Sequence, residues 1–234
     1  MAYRVNKSSG NGRGIFGSLS VTAKIIIFTS IFSIVEFVLI ALRPESIDYL
    51  ALKPSNILAG KYLWTLITHM FAHGGIGHLL INMFVLFSLG GLCERIIGKK
   101  RFFWFYVVSG LVAGILSVIF AEYFGVTELG ARIFGGPEVY MVGASGAIFA
   151  IAGLFVVLLP RLRFAIIFLP FWSFPAYIII PVVLILTWVA SVAADLPIGN
   201  MAHFGGFLMG LLYGTYLKMK YKRKVQMLQK MFER

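Results

Sequence analysis

The chain has 234 residues, 59% of them apolar and 13% charged, with a mean hydropathy of +0.90. That balance excludes an ordinary soluble domain and makes lipid the expected solvent for most of the chain. The formal net charge of +12 would suit nucleic acid or an anionic membrane surface, but the cations sit in short clusters between apolar runs. No basic face interleaved with aromatics is visible, which argues against nucleic-acid binding.

In chain order, residues 1–23 read as a basic, flexible tail, polar and glycine-rich from Gly10 to Gly17. A spanning helix needs about 20 predominantly apolar residues, and Ile25 to Leu42 is the first such run. It carries Glu36 and is followed by Arg43-Pro44 rather than a small-residue cleavage site, so it reads as a true span and not a signal peptide. After the loop from Arg43 to Ile76, further spans are expected at Gly77 to Ile97, Phe102 to Ala121 and Met141 to Leu159. Residues 164 to 175 are apolar but interrupted by Pro170 and Pro175, which predicts a hairpin or interfacial loop. Spans at Ala176 to Ala194 and Asn200 to Leu217 complete a six-span domain over 24–217, and 218–234 form a second basic tail. The single cysteine, Cys93, lies within span 2, so no internal disulfide is possible.

Charge orients the spans. Of 21 Lys and Arg residues, 17 fall before span 1, between spans 2 and 3, after span 4 or after span 6; the other side holds Arg43, Lys53, Lys61 and Arg132 with six acids, Asp195 among them. The positive-inside rule then puts both termini in the cytoplasm and the Arg43 to Ile76 loop outside. The C-terminal cluster from Lys218 to Lys224 reads as a lipid-facing anchor.

Polar side chains are costly inside a membrane, so those that open spans are functional candidates. His78 and Asn82 open span 2, Ser145 opens span 4 within Gly143-Ala144-Ser145-Gly146, and Asn200 and His203 open span 6. All three spans start on the outer side, which gives these residues one leaflet and a similar depth. His78 and Asn82, four apart, project from one helical face. His203 shares a face with Gly206, Gly210 and Gly214, and Gly146, Ala150 and Gly153 form a matching small row beside Ser145. Small rows let helices approach closely in lipid, which would bring the imidazole to the hydroxyl. No carboxylate is obviously placed to orient His203, so a Ser–His dyad is the natural reading, with Phe149 available to stack on the ring. His78, Asn82 and the backbone N–H of Ser145 are the candidate oxyanion donors. Taken singly, a serine between glycines in a membrane helix is usually packing; the conjunction of the three groups carries the argument.

The strings His78-x-x-x-Asn82, Gly143-Ala144-Ser145-Gly146 and Ala202-His203-x-x-Gly206-x-x-x-Gly210 resemble the signature motifs of rhomboid proteases, and the likeness extends over about Leu39 to Leu217. The resemblance includes Thr68-His69-x-Phe71-x-His73 and Glu94-Arg95 with Gly98. It implies an all-α bundle of six transmembrane helices and intramembrane proteolysis by the dyad Ser145 and His203, with His78 and Asn82 in the oxyanion hole and no metal or cofactor. Substrates would be transmembrane proteins whose segments unwind near the outer, non-cytoplasmic surface. Asn200 falls where some members carry asparagine. Many relatives have Trp-Arg where this chain has Trp64-Thr65, which alters the outer loop but leaves the chemistry intact.

Other classes are less well supported. His69, His73 and His78 offer zinc ligands, but no glutamate follows His69 as a His-Glu-x-x-His site requires. Cys93 lies about 22 Å along its helix from His78, too far for a cysteine mechanism. A transporter would show an inverted repeat, and none is evident. The nearest rival is a rhomboid-like pseudoprotease that binds membrane clients without cleaving them. The segment Gly74-Gly75-x-Gly77 and the loop before Asn200 suit a mobile lid or a lateral gate between spans 2 and 5.

Overall fold

The computed structural model describes residues 19–166, 169–194, 196 and 198–232. The stretch from Gly10 to Gly17, and the charged residues Asp195 and Arg234, lie outside the described residues. Eight helices of a turn and a half or more are labelled here: α1 (Val21–Leu42), α2 (Ile76–Ile97), α3 (Lys99–Phe124), α4 (Glu128–Phe134), α5 (Ser145–Leu158), α6 (Ala176–Ala194), α7 (Asn200–Lys220) and α8 (Lys222–Phe232). Four of them, α1, α2, α3 and α6, are long and apolar enough to cross a membrane.

Each expected span meets a helix, with adjusted ends. Ser20 starts α1 by accepting the Ala23 N–H at 3.0 Å, as an N-cap serine does. The carboxylate of Glu94 accepts the Val21 and Thr22 N–H groups and the Thr22 hydroxyl at 2.7–2.9 Å, which ties the start of α1 to the end of α2. Helix α2 contains a π turn over Leu86–Gly90, where the chain passes close to Thr22. Span 4 is a correction: the helix starts at Ser145 rather than Met141. Met141 pairs with Leu52 through two backbone hydrogen bonds of 2.7 and 3.0 Å, and Gly143 has φ +125°, so the helix cannot begin before Ala144, which caps it. Apolarity alone does not distinguish such a non-helical segment from a helix.

The all-α expectation meets one departure among the described residues. Arg163–Ile166 (β1) and Leu169–Pro175 (β2) form an antiparallel hairpin, with Phe164 opposite Phe174 and Arg163 bonded to Ser173. Phe171 and Trp172, in the bulged part of β2, are exposed, as an interfacial element would present them.

Helix α5 is the axis of the molecule. Ile151, Leu154, Phe155 and Leu158 are buried on it against Phe102, Phe105 and Tyr106 of α3, Leu79 and Leu86 of α2 and Leu217 of α7. The outer helices turn large apolar side chains outward, among them Phe28, Ile31 and Val38 on α1 and Ile185 and Leu186 on α6. Water would penalise such surfaces and lipid does not. Conversely, the buried face of α1 is mostly polar: Thr22, Thr29, Ser33 and Glu36. The basic segment after α7 continues as α8, whose Val225 is buried and whose Gln229 donates to the Leu158 carbonyl at 3.2 Å.

Candidate active site

Helix α7 lies against α5 along glycine. A Cβ on Gly206 would stand 1.9 Å from the carbonyl oxygen of Gly146, one on Gly210 2.1 Å from that of Ala150, and one on Gly153 2.4 Å from that of Phe207. Backbone touches backbone at these points, so the two helices are as close as any side chain allows. At the open end of this seam the first residue of α5, Ser145, meets His203: Nε2 lies 2.8 Å from the serine Oγ. Phe149, one turn along α5, stacks on the imidazole with ring centroids 4.5 Å apart and planes 28° from parallel. Nδ1 of His203 is buried without a hydrogen-bond partner among the described residues. Among the described residues no carboxylate bonds to the ring; Phe149 and the helix seam hold it.

Around the serine, the space a methyl on Gly143 would fill is bordered by His78 Nε2 at 3.0 Å and Ser145 Oγ at 3.6 Å. His78 thus points its ring at the nucleophile across Gly143. Asn82, one turn deeper on α2, is buried and donates one amide hydrogen to the His78 carbonyl at 3.0 Å, leaving its second amide hydrogen available. The first N–H groups of α5 have no partner within the helix and carry its positive dipole end, so they face an anion favourably.

A cavity of about 2300 Å³ covers this group, lined by Ser145, His203, His78, Asn82 and Phe149, and it continues between α2 and α6 past Phe84, Val85, Val182, Val183 and Leu186. Asn200 does not reach it: its Nδ2 donates to Ser191 Oγ at 3.1 Å, pinning the start of α7 to α6. Gly206 and Gly210 act through the seam.

Residues with no assigned role in the sequence reading complete the floor of the site. Gly143 N–H donates to the His69 carbonyl at 2.8 Å, and Ala144 N–H approaches His73 Nε2 at 3.5 Å. His73 is held by Glu36, which accepts its backbone N–H at 2.8 Å, and by Ser33 Oγ, 3.0 Å from its Nδ1. His69 Nδ1 lies 2.8 Å from the Thr65 carbonyl. Both ring nitrogens of His73 and Nδ1 of His69 are thus in contact with protein, and no group of three or more His, Cys, Asp or Glu side chains suited to a metal ion occurs among the described residues. Cys93 is buried in the core, away from the cavity. Thr29, Ser33 and Glu36 form a polar stripe at helical spacing on an otherwise apolar span, which marks this face of α1 as the one turned inward but does not name the partner of Glu36.

The outer loop is fastened by polar pairs. Tyr140 and Asn56 both donate to Asp48 at 2.8 Å, and Lys53 meets Glu138 at 2.7 Å. Trp64 donates to the Tyr49 carbonyl at 2.9 Å and Thr65 to that of Tyr62 at 2.8 Å.

Comparison with known proteins agrees in kind. Residues 60–220 match the family model of the rhomboid domain. The chain is similar to the mitochondrial presenilin-associated rhomboid-like protein of Homo sapiens (29% identical over 75% of this chain and 43% of that one) and to RHOMBOID-like protein 4 of Arabidopsis thaliana (33% over 69% and 36%). It is also similar to the rhomboid protease GluP of Bacillus subtilis (28% over 88% and 36%). The chain thus spans less than half the length of these curated relatives.

Proposed function

Because the chain belongs to the rhomboid family, we propose that it is an intramembrane serine endopeptidase that cleaves transmembrane proteins in or near their membrane segments. The observation that carries this reading is the 2.8 Å contact between His203 Nε2 and Ser145 Oγ at a helix N-terminus under an open cavity. A serine hydroxyl is a weak nucleophile until a base takes its proton, and this distance puts the base within hydrogen-bond reach of it. Ser145 attacks the peptide carbonyl while His203 accepts the proton. His78, the free amide hydrogen of Asn82 and the Ser145 N–H stabilise the oxyanion, and His203 returns the proton to the leaving amine. Water then hydrolyses the ester.

In this reading the unit over 24–217 crosses the membrane six times, α5 and α7 joining the four long apolar helices, with both termini cytoplasmic and the site opening to the other side. Helix α5 has 14 residues, about 21 Å against a hydrocarbon core of about 30 Å, which favours a serine sunk below the outer surface. The apolar walls between α2 and α6 favour lateral entry of a transmembrane segment, and the cavity favours access of water from outside. Lipid and substrate are the partners, and no cofactor or metal enters the chemistry.

The test is cleavage of a single-span substrate in liposomes by the wild type, Ser145→Ala and His203→Ala, with EDTA in a parallel wild-type sample. Each substitution should reduce cleavage to background, and EDTA should change nothing. A folded wild type that cleaves none of several substrates would identify a client-binding pseudoprotease instead, and inhibition by EDTA would count against the dyad.

A further inference from the structure

A carboxylate in a lipid-facing helix needs a reason, and Glu36 of α1 is 2% exposed on a helix whose other faces are apolar. Its Oε2 accepts the backbone N–H of His73 at 2.8 Å. One turn earlier on α1, Ser33 Oγ donates its single proton to the Phe71 carbonyl at 2.8 Å. Ser33 can therefore only accept at its 3.0 Å contact with His73 Nδ1, which puts the His73 proton on Nδ1 and leaves the lone pair on Nε2. That lone pair faces the N–H of Ala144, 3.5 Å away, and Ala144 is the residue that leads into Ser145. The neighbouring peptide is fixed from the same segment, with Gly143 N–H donating to the His69 carbonyl. A chain of contacts thus runs from a buried acidic side chain in α1 to the backbone just before the nucleophile.

We propose that Glu36 is a positioning residue for the reaction: through the backbone of His73 it holds the imidazole whose Nε2 receives the Ala144 N–H, and so fixes the Gly143–Ala144 peptide immediately before Ser145. The proposal deepens the protease reading and rests on it. Burial and the adjacent His78 ring hold His73 down at about 4, so its Nε2 remains an acceptor at neutral pH. Glu36 touches neither substrate nor Ser145; it acts on the geometry of the oxyanion side of the site. Its loss should therefore appear in kcat and in nucleophile reactivity, while substrate binding through the α2 and α6 walls is unchanged.

The experiment compares the wild type, Glu36→Ala, Glu36→Gln and Ser33→Ala, all in the full chain in liposomes at a temperature well below each variant's unfolding transition. Two readouts are taken: cleavage of a single-span substrate, and the rate at which a fluorophosphonate probe labels Ser145. Glutamine keeps an acceptor oxygen at the same reach, so Glu36→Gln should stay within about threefold of wild type in both. Glu36→Ala should lose tenfold or more in kcat and in labelling with KM unchanged. Ser33→Ala, which frees the His73 tautomer without touching Glu36, should show a smaller loss of the same kind. Wild-type labelling in both Glu36→Ala and Ser33→Ala would overturn the proposal while the protease reading stands, as would a Glu36→Gln as impaired as Glu36→Ala. A wild type that neither cleaves nor labels would overturn the protease reading and this proposal with it.

Discussion

At the scale of single residues, Gly143 is the most exacting position in the site. Its φ of +125° lies where side chains are strained, and a methyl there would stand 2.9 Å from His78 Cε1. Gly143→Ala should tilt His78 away from the oxyanion position and lower kcat/KM by a hundredfold or more, about 2.7 kcal/mol of transition-state stabilisation. Cleavage kinetics measure this directly; an alanine variant of wild-type activity would show that His78 does not act there. Beneath it, His69 and His73 are buried in the loop before α2, and each is held down at about 4, chiefly by that burial. Glu36 and His78 are the titratable groups that face His73. The unfolded chain binds protons at both histidines near the ordinary value of about 6.5, whereas the folded chain does not until about pH 4. Their neutral burial is thus fully tolerated above pH 6.5, and stability falls as pH drops from there towards 4, by up to roughly 3 kcal/mol for each ring. Unfolding followed between pH 7.5 and 4.5 should show that decline. A flat profile would mean that the rings take up protons without opening the loop.

At the scale of elements, the seam between α5 and α7 sets the dyad. The carbonyl of Gly146 lies 1.9 Å from where a Cβ on Gly206 would be, and a backbone atom cannot move aside as a side-chain end can. Gly206→Ala should therefore part the helices at the level of His203, abolish cleavage and lower stability by several kcal/mol. Gly91→Ala serves as its control, since no atom lies within 4 Å of that position and alanine is the better helix former by about 1 kcal/mol. It should cleave normally and unfold no earlier. If Gly206→Ala cleaves like Gly91→Ala, the seam has slack that the geometry denies. The glycine rows that form this seam were legible in the sequence because helical spacing is local information, as were the ends of α6 and, as one of two readings, a hairpin in the proline-interrupted stretch 164–175. Three features were not. Helix α5 begins four residues later than its apolar run because Leu52, 89 positions earlier, pairs with Met141. Asn200 sits at the head of the His203 helix but bonds to Ser191, and the Glu36 contact to His73 joins residues 37 apart. Each is fixed by a partner distant in sequence, and the periodicity of one segment carries no record of it.

At the scale of the whole molecule, the packing is uneven in a way that bears on substrate entry. Helix α3 has 50% of its apolar window buried inside the protein and α6 only 22%. Pro181 further removes a hydrogen bond from the interior of α6. The cavity over Ser145 continues between α6 and α2, walled by Val182 and Val183 on one side and Phe84 and Val85 on the other. A transmembrane segment is too wide to pass a closed wall of this kind, whereas a small organophosphorus probe does not need that wall to open if, as proposed, the cavity also opens to water. The two routes are separable by locking α6 to α2. A chain carrying Phe84→Cys and Val183→Cys, bridged by a short bifunctional methanethiosulfonate, should lose at least tenfold in cleavage of a single-span substrate while its Ser145 is still labelled by fluorophosphonate. Reducing the bridge should restore cleavage. The native Cys93 is fully buried in the core and does not compete for the reagent. If the bridged protein cleaves at the unbridged rate, the substrate enters elsewhere and the loose packing of α6 serves another purpose. If labelling falls together with cleavage, the bridge has distorted the dyad, and the movement of α6 is then coupled to the geometry of Ser145 and His203 rather than to passage alone.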